Sequence, residues 1–363
     1  MANGTPSQRS YLASWLTAAL FFHVLLAGSA LTMWLRPQTF YWRAWEYFSD
    51  VVYRNQSVAP IWEDLEKGDR SRGFYFLYQE AHPTRVTTDQ EGFRSVPIPS
   101  PAYPVVVVGD STIFGSGLSD DETLPWLLAR ELGVPIFNGA RTTFDNALAN
   151  PRLARVRLVI EGRTEAALGG LEVREGLGDG TYTPLRQGDL GVLHSAPLAL
   201  YFWPARLLRD IERVGHDVGY LRKHRDRMEP RLFKRHRYKP ADLERAVKVV
   251  QATQRLLQAR GITYVFLPVP SAQTLYAADV DPFTRVFISR LTQRLRQEGI
   301  HTLDLTVPFQ AHKGQGLFLN TDTHWNGKGS RLAARELATY LRGAGLTPDL
   351  APSAASAATA SGD

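Results

Sequence analysis

Four consecutive valines, Val105–Val108, form an apolar run that is typical of a strand buried on both faces of a sheet. Shorter apolar runs follow it, and amphipathic helical patterns separate them. Further strands are expected at residues 134–137, 155–160, 262–267 and 302–305, and the clearest helices at 241–260 and 283–298. Strands that alternate with helices predict an α/β fold, with a parallel sheet covered by helices on both faces.

The amino-terminal stretch 11–35 carries no formal charge. At about 1.5 Å per residue, a helix of this length exceeds the ~30 Å hydrocarbon core of a membrane. Trp15 and Trp34 lie near its two ends, as interfacial anchors do. A cleaved signal peptide is the alternative, with Arg9 as its charged region and residues 28–30 as its cleavage site. We favour a transmembrane anchor because the apolar run continues past that site.

Composition divides the rest of the chain. We expect a tail at 1–10, the anchor at 11–35, an aromatic-rich membrane-proximal lead-in at 36–87, a catalytic domain at 88–345 and a disordered Ala/Ser-rich tail at 346–363. A basic helical insertion is expected within the domain, at about 185–240. The formal net charge is +6, and the chain has no cysteine, which excludes disulfides and thiolate metal sites.

The basic charge is local. Residues 205–240 hold twelve lysines and arginines against five acidic residues. This stretch is either a solvated helix face or an electrostatic patch for an anionic glycan or for lipid headgroups. No nucleic-acid-binding motif accompanies it, so a nucleic-acid partner is not expected.

Two short motifs at opposite ends of the domain carry the candidate chemistry. Gly109–Asp110–Ser111 directly follows the valine strand, where ligands bind in open α/β sheets. Asp322–Thr323–His324 precedes an apolar helix pattern near the end of the domain. A serine nucleophile needs a base, and the base needs an orienting partner. Each motif alone is typical of an ordinary turn, but the pair favours catalysis.

The same residues resemble a known superfamily. Residues 107–111, with Phe114–Gly115, resemble the opening block of the SGNH/GDSL hydrolases. Asp322 and His324–Trp325, with Gly329, resemble the closing block, in the Asp-x-His-Trp form of the membrane-anchored polysaccharide O-acetyltransferase branch. In the alginate acetyltransferase branch this motif precedes the serine, whereas here it follows. The resemblance implies a flavodoxin-like sheet, Ser111 as nucleophile, His324 as base and Asp322 as its orienting partner.

The second block of the superfamily resembles Asn138–Gly139–Ala140. The resemblance implies that the oxyanion is held by the N–H of Ser111 and by that of Gly139 or Ala140. Asn138 is the candidate side-chain donor, with a turn asparagine as the alternative.

The third block resembles residues 162–165, where Thr164 stands in place of the expected asparagine. One oxyanion donor of the superfamily is therefore missing at this position. Arg163 is a candidate substitute donor. Its alternative role is an ion pair with Glu161 or Glu165.

Gln273 and Tyr276 follow the strand at 262–267 and resemble the acceptor-side loop of acetyltransferase relatives, although a plain strand-exit loop is the alternative. Trp325 is a third candidate for substrate binding. We also expect it to pack against the loop that carries His324 and to fix that loop. The acidic residues and histidines show no metal-ligand spacing, and residues 109–117 lack a nucleotide fingerprint. We therefore expect no metal and no cofactor.

Three functions remain open. The first is acetyl or other acyl transfer to a cell-surface polysaccharide or wall glycan, with a membrane-bound O-acyltransferase partner as acyl donor. The second is a carbohydrate acetyl esterase that uses the same three residues. The third is a non-catalytic module for glycan binding or assembly. The resemblance implies a single-pass protein of the bacterial inner membrane with its domain on the periplasmic side.

Overall fold

A five-stranded parallel sheet forms the centre of the domain. Its strands are β1 (Val105–Gly109), β2 (Ile136–Asn138), β3 (Leu158–Thr164), β4 (Thr263–Val269) and β5 (His301–Thr302). They pair in the order β2-β1-β3-β4-β5, and every pair is parallel. This is the strand order of flavodoxin-type sheets, whose ligands bind beyond the carboxyl end of the first strand. The predicted α/β class with a parallel sheet is confirmed.

The computed structural model describes residues 14–24, 27–28, 66–67, 81–82, 87, 89, 93–140, 144–174, 176, 182, 236–319 and 323–347. Several predicted features lie outside these residues, wholly or largely. They are Asp322, most of the lead-in, the basic insertion up to residue 235, and the tail from residue 348.

In the described ranges, the domain contains nine α-helices. They are α1 (Ser111–Phe114), α2 (Leu124–Leu132), α3 (Phe144–Ala149), α4 (Pro240–Gln258), α5 (Ala272–Tyr276), α6 (Pro282–Arg285), α7 (Phe287–Gln297), α8 (Thr306–Ala311) and α9 (Gly327–Gly343). The single helix expected at 283–298 is divided into α6 and α7.

Alternate valines of β1 point into two separate cores. Val105 and Val107 pack with α2 and α9 on one face, and Val106 and Val108 pack with α4 and α7 on the other. All four valines are buried, as a strand covered on both faces requires. Helices therefore cover both faces of the sheet, and its carboxyl edge is left for the site.

Strand β3 lies further along the chain than expected. The prediction 155–160 begins too early, because Arg155 and Arg157 are exposed, and it stops too soon. The strand continues through Glu161 and Arg163, whose charges pair with each other. A hydropathy pattern ends at such charged residues even though the strand does not.

Part of the predicted anchor lies in the described residues. Residues 14–24 and 27–28 are helical and exposed, and their apolar side chains include Trp15 and Phe21. Among the described helices, none has both the length and the hydropathy needed to cross a membrane. In the lead-in, Glu66–Lys67 pairs with Ala81–His82 in an antiparallel ribbon.

Candidate active site

Ser111 begins α1, immediately beyond the carboxyl end of β1. The preceding Asp110 caps this helix, since its Oδ1 accepts a hydrogen bond from the N–H of Thr112 at 3.0 Å. Its Oδ2 accepts from both the N–H and the hydroxyl of Thr164 at 2.8 Å. Asp110 therefore joins the serine turn to the end of β3. Thr164, which occupies the position of the expected asparagine, donates to Asp110.

A close approach of β1 and β3 supports this turn. A Cβ added to Gly109 would collide with the carbonyl of Gly162, and one added to Gly162 would collide with Ile113. Only glycine fits at these two paired positions. The pair explains why the valine run ends at Gly109 and brings Ser111 close over the sheet edge.

His324 meets Ser111 from the far end of the chain. The Oγ of Ser111 lies 2.7 Å from the Nε2 of His324, and His324 is buried. This is the distance at which a serine hydroxyl can give its proton to an imidazole. The expected proximity of the two residues is confirmed. Asp322 lies outside the described residues, so its orienting role stays a prediction.

The segment around His324 is held by its own backbone and by Asn326. The N–H of Leu319 donates to the carbonyl of His324 at 3.1 Å, and the N–H of Asn326 donates to that of Leu317 at 3.0 Å. The side chain of Asn326 caps α9 through Lys328 and Gly329, and also donates to the carbonyls of Gly316 and Phe318. These bonds hold the backbone on both sides of His324.

Trp325 packs beneath this loop. It is fully buried, and its ring lies 6.3 Å from that of Phe309. This packing gives Trp325 a structural role and does not support its grouping with the substrate-side residues. The expectation that it fixes the histidine loop agrees with this packing.

Two of the predicted oxyanion donors are the backbone amides of Gly139 and Ala140. The N–H of Gly139 donates to the carbonyl of Val107 at 2.9 Å, and the N–H of Ala140 donates to Oδ1 of Asn138 at 3.2 Å. Both amides are thus engaged within the protein, and the structure does not support them as donors.

Two donors remain for a developing negative charge. Nδ2 of Asn138 is buried and has no hydrogen-bond partner among the described residues. Ser111, as the first residue of α1, has an N–H without an intrahelical acceptor. An unpaired buried amide is costly unless a ligand completes it.

Arg163 takes its alternative role. Its Nε and Nη2 lie 2.9 Å and 2.8 Å from Oε1 of Glu161. Burial alone would lower the pKa of Arg163, but the neighbouring Glu161 and Asp110 carboxylates and Tyr264 together more than offset this, so the pKa is raised. The expectation that Arg163 replaces an oxyanion donor is therefore corrected.

Gln273 and Tyr276 brace the protein backbone. The amide group of Gln273 is buried, accepts from the N–H of His236 at 2.9 Å and donates to its carbonyl at 3.2 Å. The Tyr276 hydroxyl donates to the carbonyl of Lys313 and accepts from the N–H of Leu317 at 3.2 Å. These contacts do not support Gln273 as an acceptor-binding residue. Tyr276 supports the segment that leads to His324, and its role at the acceptor stays a prediction.

Arg94 is a residue whose role sequence reasoning missed. Its buried guanidinium pairs with Asp120 at 2.9 Å and donates to the carbonyls of Phe114, Gly115 and Leu118. These carbonyls belong to the end of α1 and the turn after it. Arg94 thus holds the segment that follows the nucleophile, and the Gly-Phe-Arg turn at 92–94 was its only sequence signal.

The described part of the site offers no set of metal ligands. Among the described residues, no group of three histidine, aspartate or glutamate side chains could bind a metal ion. The polar groups at Ser111 are instead the imidazole of His324 and the first N–H of α1. Such a set suits acyl transfer through a serine.

Comparison with known proteins supports the motifs. Residues 230–362 match the family described as SGNH hydrolase-like domain, acetyltransferase AlgX. The resemblance to the SGNH acetyltransferases is confirmed. The matched residues contain His324 but not Ser111, so the pairing of the two depends on the structure.

Curated relatives match over shorter stretches. Probable alginate O-acetylase AlgJ of Pseudomonas aeruginosa is 32% identical over 125 residues, which cover 31% of this chain and 31% of that protein. The protein of the same name from Pseudomonas fluorescens is 34% identical over 104 residues, covering 27% and 26%. The chain thus matches less than a third of the length of these relatives.

Solved structures show weaker likenesses. A carbohydrate esterase family 2 enzyme with its carbohydrate-binding domain, from Corynascus thermopiles, is 16% identical with a TM-score of 0.33 and covers 74% of each chain. A Bacillus subtilis protein is 13% identical with a TM-score of 0.36, covering 74% of this chain and 69% of its own. Scores this low support no conclusion about activity.

Proposed function

We propose that this chain transfers acetyl groups to hydroxyls of a polysaccharide through an acyl-Ser111 intermediate. The hydrogen-bond distance of 2.7 Å between Ser111 Oγ and His324 Nε2 carries the proposal. The matched acetyltransferase family and the similarity to alginate O-acetylases support acetyl transfer and a glycan acceptor. The serine–histidine pair argues against the non-catalytic module.

In the first half of the reaction, Ser111 Oγ attacks the carbonyl carbon of the acetyl donor while His324 Nε2 takes its proton. The tetrahedral intermediate carries its negative charge on one oxygen. Asn138 Nδ2 and the N–H of Ser111 would donate to that oxygen, and one such donor is worth about 3–4 kcal/mol of barrier. The intermediate collapses to acyl-Ser111, and His324 returns the proton to the leaving group.

In the second half, the acceptor hydroxyl gives its proton to His324 and attacks the acyl carbon. Ser111 then leaves and recovers a proton from His324. Asp322 would hold the imidazole in the tautomer that both steps need. Water can replace the acceptor, so transfer requires a sugar hydroxyl that is oriented at the acyl group.

The location is part of the proposal. Residues 11–35 would anchor the chain in a bacterial inner membrane, with the domain at 88–345 on the periplasmic side and residues 36–87 between them. The uncharged run and the exposed apolar side chains of residues 14–24 support an anchor. A membrane-bound O-acyltransferase would supply the acyl group, and tethering would raise the local concentration of acceptor.

Hydrolysis and transfer are separated by following the acetyl group. The purified domain should release acetate slowly from an activated ester, and an added oligosaccharide should divert the acetyl group onto sugar. Mass spectrometry of the oligosaccharide, beside acetate release, measures this partition. Ser111→Ala should abolish both products. Rapid acetate release with no acetylated sugar, across several glycans, would instead identify an esterase.

A further inference from the structure

The carboxylate of Asp110 connects the turn that carries Ser111 to the neighbouring strand β3. Its Oδ1 accepts from the N–H of Thr112 on α1 at 3.0 Å. Its Oδ2 accepts from both the N–H and the hydroxyl of Thr164, the last residue of β3, at 2.8 Å. Both carboxylate oxygens are therefore held, one by the helix and one by the sheet.

This connection begins where the pairing of the two strands stops. The last paired residues of β1 and β3 are Gly109 and Gly162. Beyond them β1 turns into α1, whereas β3 continues beside β4 as far as the pair of Thr164 and Val269. The Asp110 side chain thus extends the contact between β1 and β3 past their last backbone pair.

Helix α1 is too short to hold its own orientation. It has only four residues, Ser111–Phe114, and a single helical turn is not stable without contacts to the rest of the fold. Its end is held by Arg94, which donates to the carbonyl of Phe114 at 3.1 Å. Its beginning is held through Asp110 by Thr164. Removing the Thr164 contact should therefore allow the first turn to shift relative to the sheet.

The direction of the Ser111 N–H depends on this anchoring. The N–H lies in the planar peptide unit that also contains the carbonyl of Asp110. That carbonyl accepts from the N–H groups of Ile113 and Phe114 at 3.1 and 3.0 Å, which ties the peptide plane to α1. The Asp110 carboxylate in turn ties α1 to Thr164. Thr164 thus acts, through Asp110, on the direction of an oxyanion donor.

We propose that Thr164 and Asp110 are positioning residues for acyl transfer, which aim the N–H of Ser111 at the oxygen that becomes negative in the tetrahedral intermediate. The inference rests on the proposed function and adds these two residues to it. They act through Ser111 and not on the substrate. Because the aimed donor stabilises the intermediate and not the bound substrate, weakening the pair should lower kcat and leave KM nearly unchanged.

Thr164→Val in the full chain tests this pair. Valine has a shape close to that of threonine but no hydroxyl, and the backbone N–H stays in place. The loss of a hydrogen bond to a carboxylate should lower kcat on an activated acetyl ester about tenfold, with KM changed by less than about twofold. Thr164→Ser keeps the hydroxyl and should retain most of the parent kcat. Steady-state kinetics measure the split, and thermal melts show that each variant is folded.

Thr253→Val is the matched control. Thr253 is a buried threonine of α4, away from the serine turn, whose hydroxyl donates to the carbonyl of Val249 at 3.2 Å. This variant also loses a threonine hydroxyl and should keep the kcat and KM of the parent. If Thr164→Val melts early, Thr164→Ala removes the same hydroxyl and should show the same loss of kcat. Parent kinetics without the Thr164 hydroxyl, or an equal loss in Thr164→Ser or Thr253→Val, would overturn the inference.

A measurement without turnover separates this inference from the proposed function. In the full chain with an NMR-active nitrogen isotope in its serines, the amide resonance of Ser111 is identified by its absence in Ser111→Ala. Thr164→Val should shift this resonance, and Thr164→Ser should leave it close to its parent position. An unmoved Ser111 resonance in Thr164→Val would overturn the positioning role. A parent that shows the shift but never forms acyl-Ser111 would overturn the proposed function.

Discussion

Asn138 is the side chain whose donor group the proposed chemistry needs most. Its Nδ2 lacks a partner among the described residues, while its Oδ1 accepts from the N–H of Ala140. Asn138→Ala should lower kcat for acetyl release about 100- to 1000-fold with little change in KM, because the donor acts on the tetrahedral intermediate. Steady-state kinetics on an activated ester measure this.

The Asn138→Asp variant removes the Nδ2 donor but keeps the side-chain oxygen that accepts from Ala140, so it tests the two roles of Asn138 separately. Aspartate keeps an oxygen for the N–H of Ala140 but has no N–H to offer an oxyanion. The aspartate variant should therefore lose as much activity as the alanine variant. If it retains the kcat of the parent, Asn138 serves only its turn, and the oxyanion site must be built elsewhere.

For individual residues, the sequence predicts the pair of Ser111 and His324 correctly, but it does not predict the contacts of the residues around them. Ser111 and His324 could be predicted because strand ends and helix starts meet at one edge of a parallel sheet. Gly139 could not be judged, because the sequence does not show that its N–H extends the ladder to Val107. The contact of Gln273 with the backbone of His236 was not predictable either, since the two residues are 37 positions apart.

Among the elements, α9 and the loop before it position the imidazole. Gly329, in the first turn of α9, lies against this loop. A Cβ at this position would collide with the carbonyl of Leu317 and lie 2.9 Å from Cβ of Trp325. Gly329→Ala should therefore displace the histidine loop, lower the free energy of unfolding by about 1–3 kcal/mol and reduce kcat. Chemical denaturation and ester kinetics measure the two effects.

Gly343 provides the control within the same helix. An added Cβ there meets nothing within 4 Å. Gly343→Ala should leave kcat unchanged and should leave stability unchanged or raise it by up to about 1 kcal/mol, because alanine favours a helix. Equal behaviour of the two variants would show that the close contact at Gly329 does not matter.

The element pattern was the most predictable level of the structure. The valine run, the α4 periodicity and the alternation of strands with helices depend on burial, which hydropathy reports directly. The end of β3 was not predictable, because Glu161 and Arg163 satisfy each other inside the fold.

For the whole molecule, the orientation across the membrane is the main untested expectation. If residues 11–35 anchor the chain with the domain outside the cytoplasm, protease added to intact spheroplasts should degrade the domain. A cytoplasmic protein should survive in the same sample. Immunoblots against the domain measure this, with detergent-lysed cells as the control for cleavage. A domain that resists protease in intact spheroplasts but not in lysate would lie on the cytoplasmic side.

The account as a whole depends on a covalent acyl-serine, which both transfer and hydrolysis require. The most direct measurement is a rapid acid quench of the purified domain with an activated acetyl ester, followed by digestion and mass spectrometry. We predict one added acetyl group on the peptide that contains Ser111, lost when an acceptor oligosaccharide is present and absent in Ser111→Ala. Turnover without acetyl on Ser111, or equal turnover by Ser111→Ala, would contradict the account.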